Sequence, residues 1–215
     1  MAVENSNNAS SNKRIAKNTL FLYVRLVIVM LVNLYATRVV LNVLGVVDYG
    51  IYNVVCGFVA MFGFLSASMS NGIQRFYNFK LGRGGDAAVV KVYNVGLVIQ
   101  GVVAVVLTIL LMTVGCWYLN AEMVIPESRG VAANWIYLFS VISLVLVIMQ
   151  TPYSAAVIAY ERMDYYAVVS ILGSMMTLGI VFAIKHVGGD KLVVYGFLLM
   201  MVQFMNFFQI GRAHV

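Results

Sequence analysis

Arg25, Asn33 and Arg38 offer the most chemistry in this chain, because they stand in an otherwise almost unbroken apolar run from Thr19 to Leu44. A guanidinium inside a hydrocarbon-length helix costs about 2.5 to 3.5 kcal/mol on insertion scales, so such a residue is expected to face protein or water rather than lipid. An arginine and an asparagine placed there could replace the water shell of an anion, one through its charge and both through hydrogen bonds. Asn33 lies about 80° around the helix from Arg25, so the two share one broad face. Arg38 projects about 140° away from Asn33, near the far boundary of the run, where snorkelling is a sufficient account. Gln74 and Arg75 lie in the polar segment SNGIQRFYNFKLGRGGDAAVVK and form a weaker pair at the expected mouth of the same interior.

The element that must position Arg25 and Asn33 is a membrane-crossing helix. Residues 19–44 span roughly 39 Å as a helix, against a hydrocarbon core of about 30 Å. The whole chain has the same character: 62% of its 215 residues are hydrophobic and 10% are charged, where soluble domains carry about 25% charged residues. The net charge of +6 comes from basic residues scattered through short polar segments, which fits a positive-inside membrane protein better than a nucleic-acid binder. An all-α, polytopic bundle of six transmembrane helices is expected, at about 19–44, 50–68, 92–117, 131–153, 166–184 and 192–209, behind a polar tail at 1–18.

Punctuation between these helices is clear in places. Gly45 ends the first run before Asp48, Tyr49 and Gly50, and KHVGGDK separates the last two helices. Pro152 is expected to kink or end the fourth helix, because it lacks an amide hydrogen and its ring clashes with the preceding turn. Segment 70–91 reads as a basic loop, with Gly82, Gly84 and Gly85 making a turn; no Gly-Lys-Ser or Gly-Lys-Thr follows, so a phosphate-cradling loop is the weaker reading. The segment AYERMDYY reads as a short connection holding Glu161, Arg162 and Asp164. Two stripes of small residues occur at helical spacing: Gly63, Ser66 and Ser70, and then Ser170, Gly173, Ser174 and Thr177. Such stripes let helices approach closely.

Lys13, Arg14, Lys17, Arg75, Lys80, Arg83, Lys91 and Arg162 fall on one side of the six expected spans, and Arg38, Arg129, Lys185 and Lys191 on the other. The richer side, with the amino terminus, is expected to be cytoplasmic. All the acids, Glu4, Asp48, Asp86, Glu122, Glu127, Glu161, Asp164 and Asp190, are assigned to the tail or to loops. An exporter of cationic drugs usually wants a carboxylate within the membrane, so the pattern favours an anionic cargo. Cys56 and Cys116 read as apolar packing residues, with neither a metal-ligand spacing nor a disulfide framework. No metal or cofactor is expected. An enzyme is disfavoured by the absence of paired carboxylates, of an Asp-x-Asp and of a usefully placed histidine, since His186 sits beside Lys185 at a helix end.

The run NTLFLYVRLVIVMLVNLYATRVVLNVLGVVDYGIYNVV, the segment SASMSNGIQRF and the later TPYSAAVIAYERMDYY resemble the polysaccharide and O-antigen flippases of the multidrug/oligosaccharidyl-lipid/polysaccharide exporter superfamily. The resemblance covers most of residues 13 to 209 and rests on helix and turn patterns rather than on catalytic signatures. It implies one six-helix lobe of a two-lobe, alternating-access transporter in the bacterial inner membrane. The implied cargo, and main partner besides membrane lipids, is an undecaprenyl-pyrophosphate-linked oligosaccharide moved toward the periplasmic leaflet, with Arg25 facing the phosphates and Asn33, Gln74 and Arg75 as further contacts. A cation-coupled multidrug antiporter of the same superfamily is one alternative, and an integral-membrane polysaccharide-assembly enzyme is another of a different class. The closing IGRAHV, residues 210–215, is unlike the run before it and matches the translation of a common sequencing adapter. The natural sequence is therefore expected to depart near Gln209 and to continue into a carboxy-terminal lobe, and Arg212 and His214 are set aside.

Overall fold

In lipid every backbone N–H and C=O must be satisfied within the chain, so a sequence made of long aliphatic runs with few prolines folds as helices. The computed structural model describes residues 2–83, 85–160 and 163–212. Its helices are α1 (Ala2–Met61), α2 (Gly63–Arg83), α3 (Gly85–Leu110), α4 (Cys116–Ala121), α5 (Gly130–Ala159), α6 (Met163–Ile184) and α7 (Lys191–Arg212). A π-helical turn, Leu111–Gly115, joins α3 to α4, and a 3-10 turn, Glu127–Arg129, precedes α5. There is no strand among the described residues. Five helical stretches are long and apolar enough to cross a membrane: Asn18–Met61, Val90–Ala121, Glu127–Ala159, Asp164–Ile184 and Lys191–Gly211. The chain is thus a multi-pass membrane protein of helices.

The first of these stretches is two rods rather than one. Gly45 adopts φ 80 and ψ 170, a left-handed region that glycine enters without a Cβ penalty. Unbroken helix would hold Asn33 and Ala60 about 40 Å apart, yet both line one cleft. The chain therefore doubles back at Gly45, dividing α1 into a first arm (18–44) and a second arm (46–61). The second arm passes into α2 through a joint at Phe62, where the Phe62 amide donates to the Val59 carbonyl at 3.1 Å.

Side-chain pairs set the direction of each rod. The first arm runs with α6, since Arg25 meets Tyr166 and Tyr35 meets Phe182. The second arm with α2 runs with α5, since Cys56 meets Ser140 and Ser66 meets Thr151. α7 runs with α5 as well, from the Asp190–Arg129 contact to the Gln203–Gln150 contact. α3 runs against α5: Gly96 packs by Pro152 and Leu111 by Tyr137. Six rods therefore alternate in direction, the first arm, α3 and α6 one way and the other three back. The main core gathers Val55, Leu111, Ile136, Val141, Ile148 and Leu192, and a second joins Ala36, Val40, Val181, Ile184 and Tyr195. Outward-facing Leu31 and Ile109 are 58% and 60% exposed, the inverted pattern that a lipid solvent requires.

Several expected boundaries change. Segment 70–91 is not a loop: α2 continues to Arg83 and α3 starts at Gly85, while Gly84 lies outside the described residues. The reason is amphipathic spacing that mean hydropathy hides, for Ile73 and Tyr77, one turn apart, are buried against Ala155 and Ala156 of α5. The fourth helix does not stop at Pro152 but runs on to Ala159. Pro152 is fully buried and packs beside Gly96 of α3, within protein rather than lipid, as proline in a membrane helix requires. Asp164 belongs to the first turn of α6, where an acid complements the helix dipole; Glu161 and Arg162 lie outside the described residues. The expected tail at 1–18 is helical from Ala2, and α7 continues through Arg212.

The third helix is longer than expected and contains the π turn. There the Tyr137 hydroxyl donates at 2.6 Å to the Leu111 carbonyl, which also accepts from the Cys116 amide five residues on, the step of a π turn. A Cβ on Gly115 would collide with that same hydroxyl. Gly115 is thus the residue that lets α5 pack onto the turn.

Candidate functional site

Two groups of polar side chains come together inside the bundle. The first sits at the end where α5 and α7 begin. Arg129 donates from Nε to Asp48 Oδ1 at 2.8 Å and from Nη1 to Asp190 Oδ2 at 2.7 Å, and its Nη2 also meets Asp48 Oδ2. Asp48 lies just past the Gly45 reversal, so this bidentate fork ties the reversal to the starts of α5 and α7. The Asp48 side chain is 9% exposed, Arg129 31% and Asp190 36%. Asn120 and Asn134 pair beside them, through amide bonds of 3.2 and 3.0 Å. Every charge in the cluster is paired, which makes it a structural clasp.

The second group lines a cleft of about 530 Å³ enclosed by both arms of α1 and by α5, α6 and α7. Ligand pockets generally fall between about 300 and 1,000 Å³. Its polar lining comes from hydroxyls (Tyr52, Ser140, Ser143, Ser170, Ser174 and Thr177), amides (Asn33, Gln203 and Asn206) and the Cys56 thiol. None of the described lining residues carries a charge. The fit of α6 against α7 is close, since a Cβ at Gly173 would lie 2.9 Å from Asn206 Oδ1.

Hydrogen-bond polarity in the cleft is biased. Ser140, Ser170, Ser174 and Thr177 each donate to a carbonyl one turn back in their own helix, at 2.8 to 3.0 Å. Their protons are thereby engaged, while oxygen lone pairs remain to accept from whatever enters. Asn206 Oδ1 is buried without a hydrogen-bond partner. Gln203 Nε2 donates to Gln150 Oε1 at 3.0 Å, fixing that amide. The cleft is a neutral, acceptor-rich surface within membrane-crossing helices.

Of the residues singled out from sequence, Asn33 lines this cleft. Arg25 is not among its described lining residues; its guanidinium lies 4.5 Å over the Tyr166 ring, a cation–π contact. Arg25 Nε is buried without a hydrogen-bond partner. Along the first arm Arg25 lies about 12 Å from Asn33, and Tyr166 precedes Ser170 by one turn, so Arg25 marks one end of the same wall. Gln74 is half-buried and Arg75 exposed on α2, and the cleft includes neither.

Sequence reasoning noted the Ser170 to Thr177 stripe as close packing, yet all four of its members line the cleft. It assigned no role to Gln203, Asn206, Ser140 or Ser143. Their shared signal was a polar residue repeated at three or four positions within an apolar helix, the pattern that marks an interior face. Cys56 and Cys116 are free thiols. No cluster of three metal-ligating side chains occurs among the described residues, and His186 is exposed. Comparisons with family models, with curated proteins and with solved structures found no match for this chain.

Proposed function

We propose that this chain is one lobe of an alternating-access carrier for a lipid-linked oligosaccharide, an undecaprenyl-pyrophosphate glycan moved from the cytoplasmic to the periplasmic leaflet of a bacterial inner membrane. The observation that carries the reading is the uncharged, acceptor-rich lining of the cleft. Sugars present many O–H donors and no charge, so an array of neutral acceptors suits them, where a cationic drug would call for a carboxylate. Arg25 supports the other half of the cargo: its half-buried guanidinium, held in place by Tyr166, brings a positive charge and further N–H donors toward a pyrophosphate beside the sugar site. The carrier needs a carboxy-terminal lobe to close the cleft. The amino terminus then lies in the cytoplasm.

The test is transport by the complete reading frame, reconstituted in proteoliposomes with a fluorescent lipid-linked oligosaccharide and, in parallel, with a radiolabelled cationic drug. Movement of the glycolipid without drug uptake is the expected result. Drug uptake driven by a sodium or proton gradient, with no glycolipid movement, replaces the reading with an antiporter.

A further inference from the structure

A separate groove of about 470 Å³ lies between α2 and α3 and shares no lining residue with the cleft. Its floor and walls are apolar, including Met69, Ile73, Phe76, Val95 and Ile99, and one end carries Lys80 and Lys91. The register of the two helices puts both lysines at that end: Ile73 lies opposite Gly96 and Tyr77 beside Val92 and Tyr93, so Lys80 falls next to the start of the α3 span. The uncharged run of α3 opens at Val92, directly after Lys91, which sets Lys91 and its neighbour Lys80 at the membrane–water boundary and the apolar remainder in the hydrocarbon. From Met69 to Lys80 the groove measures about 16 Å along α2, close to one leaflet of a hydrocarbon core of about 30 Å. The ion pairs among the described residues belong to Arg129 and leave these two ammonium groups uncompensated. Phe76 is 64% exposed on this face.

We infer that the α2–α3 groove is a binding site for an anionic phospholipid, with the phosphate between Lys80 and Lys91 and one acyl chain along Ile73, Phe76, Val95 and Ile99. Two cations at headgroup depth above a leaflet-long apolar channel match the charge and the length of such a lipid. A helix from a second copy of the chain would meet the apolar part and leave both lysines unanswered.

The test uses the full chain in detergent, given phosphatidylglycerol or phosphatidylcholine at equal concentration, with retained lipid counted by native mass spectrometry. The expected result is preferential retention of phosphatidylglycerol, lowered about fivefold by Lys80→Gln or by Lys91→Gln, with phosphatidylcholine retention unchanged. Gly72→Leu fills the groove from a position with open space around it and lowers retention of both lipids. Lys185→Gln combined with Lys191→Gln removes twice the charge of either single variant, at the other end of the bundle, and leaves retention unchanged. Equal retention of the two lipids by the unmodified chain overturns the inference, and so does an equal loss in the control pair. A dimer mass that Gly72→Leu abolishes, with lipid retention untouched, assigns the groove to a second copy instead.

Discussion

The clasp at Asp48, Arg129 and Asp190 and the cleft above Asn33 are both polar places in an apolar protein, and they are built in opposite ways. In the clasp every charge is paired, by bonds of 2.8 and 2.7 Å and by the further Arg129–Asp48 contact. In the cleft no described lining residue is charged, and Asn206 Oδ1 is left without a partner. Satisfied polar groups hold elements together, whereas unsatisfied ones in a cleft are waiting for water or a ligand. The difference separates polar groups that tie elements together from polar groups left open in a cleft.

Mutations sharpen that contrast. The largest effect is expected from Arg129→Ala, which strands a nearly buried Asp48 carboxylate and releases the reversal from α5 and α7. A loss of about 3 kcal/mol is expected in denaturant unfolding of the detergent-purified chain, at the low end for a broken buried pair because Arg129 is a third exposed. Adding Asp48→Asn recovers part of it; full additivity of the two changes would show that the clasp is not a unit. Next, on the proposed carrier reading, Arg25→Ala lowers glycolipid transport about tenfold, the worth of one charge-assisted hydrogen bond, while Arg25→Lys retains part of the rate. Unchanged transport by the alanine variant removes Arg25 from the mechanism.

Asn206→Leu probes the cleft directly. Transport falls about fivefold, as for one lost neutral hydrogen bond, while unfolding free energy holds or rises because a buried unpaired carbonyl oxygen has gone. A stability loss equal to that of Arg129→Ala would erase the distinction between the two regions. The smallest change is Ser66→Ala, which removes the 2.6 Å bond to Thr151 and lowers stability by about 1 kcal/mol, leaving transport unaltered because Ser66 does not line the cleft.

Hydropathy and glycine placement by themselves determined that this chain is built of helices apolar enough to cross a membrane, and that Gly45 and the Lys185–Lys191 segment interrupt them. These are local consequences of solvent and of backbone sterics, legible without knowing any neighbour. Tertiary structure decided the rest. Asp48, Arg129 and Asp190 lie 81 and 61 positions apart in sequence, so nothing local marks them as one cluster. The extension of α2 through Ile73 and Tyr77 depends on α5 being present to bury them. Whether the Ser170 to Thr177 stripe packs against a helix or faces a cleft depends on how far α7 and the arms of α1 stand from it, and that spacing is set by the summed volumes of side chains from five rods.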